Sequence, residues 1–452
     1  MSAVVVIGGG SDALVAAQVL ARAGREVIMV EGTASSADEG WITAKVLREL
    51  RIEDVKLEWP DPWISVPLPG GGRLELWREM ARSVESIGRV SPRDAERWPQ
   101  FCQRMARLAR FLEKAYIEAP KSPLDLKLAW RARRLGREGL TDLLRILPMP
   151  VAELLDDWFE SDALKGALGA AGVLHILQGP RSGGTAFRFL HHHVGSPAGV
   201  FRPPRSNALE VLRKLPRVEL QHTQVARIAV REGGVSGVIL KDGRELAASM
   251  VVSSAGPRRS LLELVEPGWL DPEFVRALRH VRARGVAARV RLELDRSPGF
   301  STLALAPSLD YLERAYDDAK HGRVSRLPYI EARCDERHRL EVFVQYAPYG
   351  VDCSALGDTV IAQLAEHWGD AQPREGELLA PRELEEAEGW PEGQPHYAQL
   401  SLDQALWMRP LPELAGYRTP IDGLWLCGPG MHPGAGVAGA SGLNCAREIL
   451  RS

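Results

Sequence analysis

The sequence predicts an α/β protein, a Rossmann-like nucleotide-binding domain carrying an inserted α+β domain. Three observations predict it. Residues 1–31 follow a strand–turn–helix–strand order. A meander of short β runs follows residue 218. A glycine-dense loop, Gly428 to Ala440, leads into a closing helix.

Ala3 to Ile7 is an apolar run rich in β-branched residues, as a buried parallel strand should be. Gly8, Gly10 and Ala13 fill a G-x-G-x-x-A turn. Gly8 permits the tight turn, Gly10 lets a pyrophosphate approach the backbone, and Ala13 lets helix and strand pack closely. Leu14 to Ala23 reads as a helix ended by Gly24, and its N-terminus offers free N–H groups to phosphate. Val27 to Val30 makes a second strand, closed by Glu31, whose carboxylate stands where a ribose 2′-hydroxyl can donate to it. That acid disfavours a 2′-phosphate, so FAD or NAD fits better than NADP.

Composition sets bounds on function. Of 452 residues, 45% are hydrophobic and 26% charged, with a net charge of −2, so nothing points to nucleic acid as a partner. Cys102, Cys334, Cys353, Cys427 and Cys445 are widely spaced, without a C-x-x-C pair, which argues against a zinc ribbon, an iron–sulfur site or a disulfide framework. The expected location is the reducing cytoplasm. The chain enters its nucleotide strand at once, so no secretory signal is expected. No stretch reaches the roughly 18 uninterrupted apolar residues of a spanning helix. Peripheral membrane contact and homo- or hetero-association stay open.

Further along, Trp41 to Leu50 reads as a helix and Val55 to Trp59 as extended chain. Ile64 to Trp77 reads as a hairpin around Gly70 to Gly72. Ser91 and Pro92 are the cap and first position of a long helix, with Phe101, Met105, Leu108 and Leu112 at core spacing. Leu126 to Arg137 is a basic helical segment, read as a solvated face before a membrane one. Val151 to Ala171 is another helix. His191-His-His193 lies in a further helical run, Thr185 to Val194. Three adjacent residues point three ways, so no metal site is expected, and one of the three is expected to face a substrate cavity.

Val218 to His222, Val225 to Val230, Val235 to Leu240 and Glu245 to Ala248 read as the meander. Met250 to Pro257 is a buried strand with a small-residue end. Gly285 to Leu294 alternates, with Val286, Ala288, Val290, Leu292 and Leu294 on one face and Arg289, Arg291 and Glu293 on the other. Such strands suit a sheet that floors a cavity. Gly423 to Cys427 is a strand and Ser441 to Leu450 a helix. The glycine loop between them aims backbone N–H groups at a ligand.

These residues carry a resemblance. Val5-Val-Ile-Gly-Gly-Gly10, Asp61-Pro-Trp-Ile-Ser-Val-Pro-Leu-Pro69, Gln178-Gly-Pro-Arg-Ser182, Val251-Val-Ser-Ser-Ala255, Met408-Arg-Pro-Leu-Pro412 and His432-Pro-Gly434 are among stretches that run from end to end. The chain resembles the phytoene-desaturase-like FAD-dependent oxidoreductases, in the branch named for pyridine nucleotide-disulfide oxidoreductase domain-containing protein 2. The resemblance implies a discontinuous FAD domain at 1–70, 200–265 and 415–452, with a substrate domain at 71–199 and 266–414. It implies hydride transfer between flavin and a C–C bond of a lipophilic small molecule. It places Gly8, Gly10, Ala13 and Glu31 on the ADP half and Val225 at adenine. Gly430, His432, Gly434 and Val437 would border the ribityl chain and ring. His432 and His396 are the candidate proton-transfer groups, since imidazole exchanges protons near neutral pH.

The chain also departs from that pattern. Glu31 runs into Gly32-Thr-Ala-Ser-Ser and soon to Trp41, without the Arg, Gly-Gly pair and covering loop of relatives. Arg205-Ser-Asn-Ala208 lacks their glycines. Ser11-Asp12-Ala13 puts an acid near the phosphates, which repels them if it faces the ligand. These departures keep a second reading open, a cofactor-poor pseudoenzyme or partner subunit that retains the fold.

Overall fold

The computed structural model describes residues 3–32, 40–118, 122, 125–215 and 218–452. The first apolar run becomes β1 (Val4–Ile7), buried at every position. Burial on both faces suits a strand with parallel neighbours on each side. Beside β1 lies β2 (Val27–Glu31), with Val4 opposite Val27. β3 (Glu219–His222) extends the sheet beyond β2, and β4 (Met250–Ser253) flanks β1 on its other side. β5 (Leu424–Leu426) adds to β4, so the parallel order is β5-β4-β1-β2-β3. The sequence grouping of residues 218–222 with the meander is therefore corrected. That segment is polar and largely exposed, as an edge strand of the parallel sheet can be. The meander proper is a separate three-stranded sheet, 225–231, 234–240 and 245–247.

Helix α1 (Ser11–Arg22) starts three residues before Leu14, because Gly10 already takes the extended backbone of an N-cap. Gly24 at φ +85° lies just beyond its end. α1 packs against the final helix, labelled α3 (Ala440–Ile449), α2 being Thr185–His193. The two axes approach so closely that a Cβ on Gly442 would run into the Asp12 carbonyl oxygen. One on Gly439 would stand 2.6 Å from Val15 Cγ2. Apolar burial around this layer joins Val5, Val15, Leu20, Val251 and Leu443 in one core.

The second sheet is antiparallel, in the order 302–305, 329–334, 339–345, 287–294 and 373–379. Ala288, Val290, Leu292 and Leu294 are buried with Val342, Val344 and the apolar side of Leu356–Ala365. A third core is helical and aromatic, with Trp98, Phe101, Phe159, Phe189 and Phe201 at its centre. Ser91 caps the long helix Pro92–Tyr116 as its sequence suggests, its Oγ accepting from Asp94 N at 3.1 Å. Phe101, Met105, Leu108 and Leu112 all pack inside. The 64–76 hairpin packs into this same core.

Two helical segments are broken where the sequence reads as continuous. Val151 to Ala171 divides into Val151–Asp156 and Asp162–Ala171. The Asp94 carboxylate accepts from Glu160 N and Ser161 N at 3.0 and 2.8 Å and fixes the break. The basic segment divides into Leu126–Arg133 and Gly136–Ile146, with Gly136 at φ +75°. Among the described residues no helix is long and apolar enough to cross a membrane.

Candidate functional site

One cavity of about 870 Å³ runs from the glycine turn to the antiparallel sheet. That is near the upper end of the usual ligand-site range of roughly 300–1,000 Å³. At the parallel-sheet end, Gly8, Gly9, Gly10, Asp12 and Ala13 line it. Gly8 sits at φ +117°, where an L side chain is strained, and any Cβ there would collide with Ser254 Oγ. No side chain caps α1 at Gly10, and the positive N-terminal end of the helix is turned toward the cavity that Gly8 to Ala13 line. The Asp12 carboxylate accepts from Gly442 N at 3.1 Å, inside the first turn of α3. The acid that looked repulsive in the sequence thus serves the positive end of a second helix.

Glu31 is buried and ion-paired with Arg213, which also donates to the Gly9 carbonyl at 3.4 Å. Glu31 is not among the residues lining the cavity, although Val30 and Gly32 on either side of it are. Its partner lies 182 residues further along the chain, and no local signal announces it. Val225, Gly434 and Val437 line the cavity. Gly430 does not. A Cβ there would lie 2.5 Å from Pro257 Cδ, so it serves close packing of the loop. The proposed loss of a covering segment falls on residues 33–39, outside the described residues. The chain resumes at Gly40, and Trp41 N donates to Gly436 O at 3.0 Å while Ala438 N donates to Trp41 O at 2.9 Å.

The other end is built from side chains. The polar face of the antiparallel sheet forms the floor, with Arg289, Phe343 and Glu331 in one register and Arg291, Glu341 and Arg333 in the next. Above it α2 supplies Arg188, His191 and His192. The three adjacent histidines do point three ways. His191 Nε2 donates to Ala435 O at 2.8 Å, so its Nδ1 accepts from the Tyr116 hydroxyl at 2.9 Å. His193 Nδ1 donates to Val200 O at 2.7 Å. His192 lines the cavity, and its Nδ1 has no partner among the described residues. Among those residues no cluster could hold a metal ion.

His396 and His175 complete a group of four cavity histidines. Arg188 donates from Nη2 to His396 Nε2 at 2.8 Å. A guanidinium has no acceptor, so the His396 proton resides on Nδ1, and its lone pair is committed. Burial, then the Arg188 charge, holds His396 and His192 well below the ordinary imidazole range, and pushes His191 down to about 3. His432 lies outside the cavity lining. Its Nε2 donates to Ala115 O at 3.2 Å and burial pushes it down to about 3. The sequence thus places one of its two proton-transfer candidates on the cavity and the other behind it.

Arg409, whose role the sequence did not reveal, clamps the site. Fully buried, it donates to the carbonyls of His396, Ala398, Gln399, Gln404, Pro429 and Met431. It locks the glycine loop to the strap carrying His396. The only sequence signal for it was its place in Met408-Arg-Pro-Leu-Pro412.

No family model matches the chain. It is 27% identical to pyridine nucleotide-disulfide oxidoreductase domain-containing protein 2 of Rattus norvegicus, across 99% of this chain and 93% of that protein. That alignment spans 540 positions against 452 residues here, so the relative carries segments this chain lacks. The chain is 26% identical to hydroxyneurosporene desaturase of Cereibacter sphaeroides, across 99% of this chain and 97% of that one. Among solved structures it is similar to putrescine oxidase bound to putrescine, with a TM-score of 0.62 at 15% identity, covering 100% of this chain and 99% of that one. The fold is the Rossmann-like FAD/NAD(P)-binding one of these oxidoreductases, and the similarity to the rat protein extends along nearly the whole of this chain.

Proposed function

We propose that this protein is an FAD-dependent oxidoreductase that adds or removes hydrogen at a C–C bond of a largely apolar small molecule. The observation that carries the reading is the single cavity joining the glycine turn to the polar sheet. The desaturase among its relatives supports the bond type. FAD, when bound, supplies the hydride acceptor or donor.

The chain's own residues do the rest. Uncapped α1 and the Gly8–Gly10 backbone would hold the diphosphate. Gly434 to Val437 would border the ring, stiffened by Arg409 and by the His191 bond to Ala435 O. Leu174, Phe343 and Trp390 give the substrate apolar wall. In the direction of hydrogen removal, the proton that leaves carbon needs a free lone pair on the cavity. His396 has spent its lone pair on Arg188. His192, neutral and unpartnered at Nδ1, meets the condition.

Mixing purified protein with FAD tests the proposal. Expected are retained yellow colour after gel filtration and a band near ~450 nm, the signature of bound flavin. A colourless protein that takes up no FAD sinks the reading and leaves a cofactor-free scaffold.

A further inference from the structure

Arg188 is a deeply buried cation of the cavity that has no carboxylate partner among the described residues. The residue is 1% exposed. Nε donates to Leu174 O at 3.3 Å and Nη2 to His396 Nε2, while Nη1 has no acceptor among the described residues. Each of these cations of the floor has a carboxylate partner, though two share each one: Arg202 and Arg333 pair with Glu331, Arg289 and Arg291 with Glu388. Arg188 forms no ion pair with any carboxylate among the described residues, and the surrounding histidines can only be neutral or positive. The similarly charged Arg409 adds to the field at Arg188. A buried cation without a counter-charge is costly unless something supplies one.

We propose that Arg188 receives a carboxylate on the substrate, which is therefore an amphipathic acid held by its anionic end beside the histidine cluster. This deepens the oxidoreductase reading and rests on it for the use of the cavity. The guanidinium edge suits a planar carboxylate. Unpartnered Nε and Nη1 of buried Arg202, also on the cavity, offer further donors. The Nη1 side of Arg188, which lacks an acceptor among the described residues, is sized for one carboxylate. A phosphate dianion would bring excess negative charge toward Glu331, Glu341 and Glu388. Leu174, Phe343 and Trp390 give the chain of such an acid its apolar contacts.

The test is calorimetric titration of the full-length protein, before and after FAD loading, with dodecanoate, dodecanol and dodecyl phosphate. Wild type is expected to bind dodecanoate at least about tenfold more tightly than dodecanol, the scale of a hydrogen bond to a charged group, and more tightly than dodecyl phosphate. Arg188→Met should abolish the preference over dodecanol, and Arg188→Lys should keep part of it. Should Arg188→Met fail to fold, the wild-type selectivity and the lysine variant still decide. Equal binding of acid and alcohol by wild type overturns the proposal. So does tighter binding of the phosphate, or an Arg188→Met protein that keeps the preference and instead shows only a lowered flavin reduction potential. Failure of the flavin reading shows separately, as an absent ~450 nm band, and leaves the titration without FAD intact.

Discussion

The two ends of the cavity are built by different means. At the parallel-sheet end, backbone does the work, through a positive-φ glycine, two helix N-termini and strands in register. Its charges are settled internally, Glu31 by Arg213 and Asp12 by Gly442 N. At the antiparallel end, side chains from residues 174 to 437 converge, and nitrogens of Arg188, Arg202 and several imidazoles are left without partners among the described residues. The difference teaches where a ligand can add most. Backbone sites hold a constant group such as a phosphate, while unsatisfied side chains await a particular one.

The largest expected effect breaks the side-chain end with acid. His191 and His432 stay neutral in the fold down to about pH 3, and His193 to about 4, with burial the leading cause. In the unfolded chain each protonates near pH 6.5. The unfolded state therefore binds more protons below that pH, so stability is full above about 6.5 and falls as pH drops. Each histidine should contribute a loss of about 2 kcal/mol by pH 5. Urea unfolding at pH 7.5, 6 and 5 measures it. His193→Asn, which keeps a donor for Val200 O, should make the decline shallower. A pH-independent midpoint would contradict the buried-neutral arrangement.

The backbone end should break through sterics. Gly442→Val places a side chain against the Asp12 carbonyl and should cost about 3 kcal/mol or more by denaturant unfolding. A variant as stable as wild type would show that α1 and α3 can separate freely. Next in size, His192→Asn should lower turnover of the FAD-loaded enzyme about 100-fold, the scale of lost general base catalysis, with little change in KM. His432→Asn should change turnover far less. The reverse ranking would return the proton to His432. The smallest effect is expected from Arg213→Met, which leaves Glu31 buried without its cation. Because Arg213 is 37% exposed at its side chain, the loss should be only about 1–2 kcal/mol. A change of FAD affinity beyond what that stability loss explains would show that Glu31 reaches the ribose after all.

What was legible in the sequence follows the same division. Val4–Ile7, the glycine turn and α1 could be read because local spacing dictates them. The long helix and its Ser91 cap could be read for the same reason. Residues 218–222 were misplaced because an edge strand of a parallel sheet and a meander strand share one short polar pattern. The break at Glu160 depends on Asp94, 66 residues away, and helical periodicity cannot register it. The roles of Arg188, Arg213 and Arg409 were not legible, since each is defined by partners that only the fold brings near. The alternation of Arg289 and Arg291 with apolar neighbours did reveal a two-faced sheet, and the polar face proved to be the one on the cavity.

The close seat of α1 against α3 has a consequence for how the protein is made. During synthesis the glycine turn emerges well before the surface that α1 needs, which is encoded more than four hundred residues later. Until then Val15 stands uncovered where Gly439 will lie, and β4 lacks its neighbour β5. The nucleotide turn is thus translated long before it can be finished. Its maturation waits on contacts of the greatest sequence separation, the kind that form slowly.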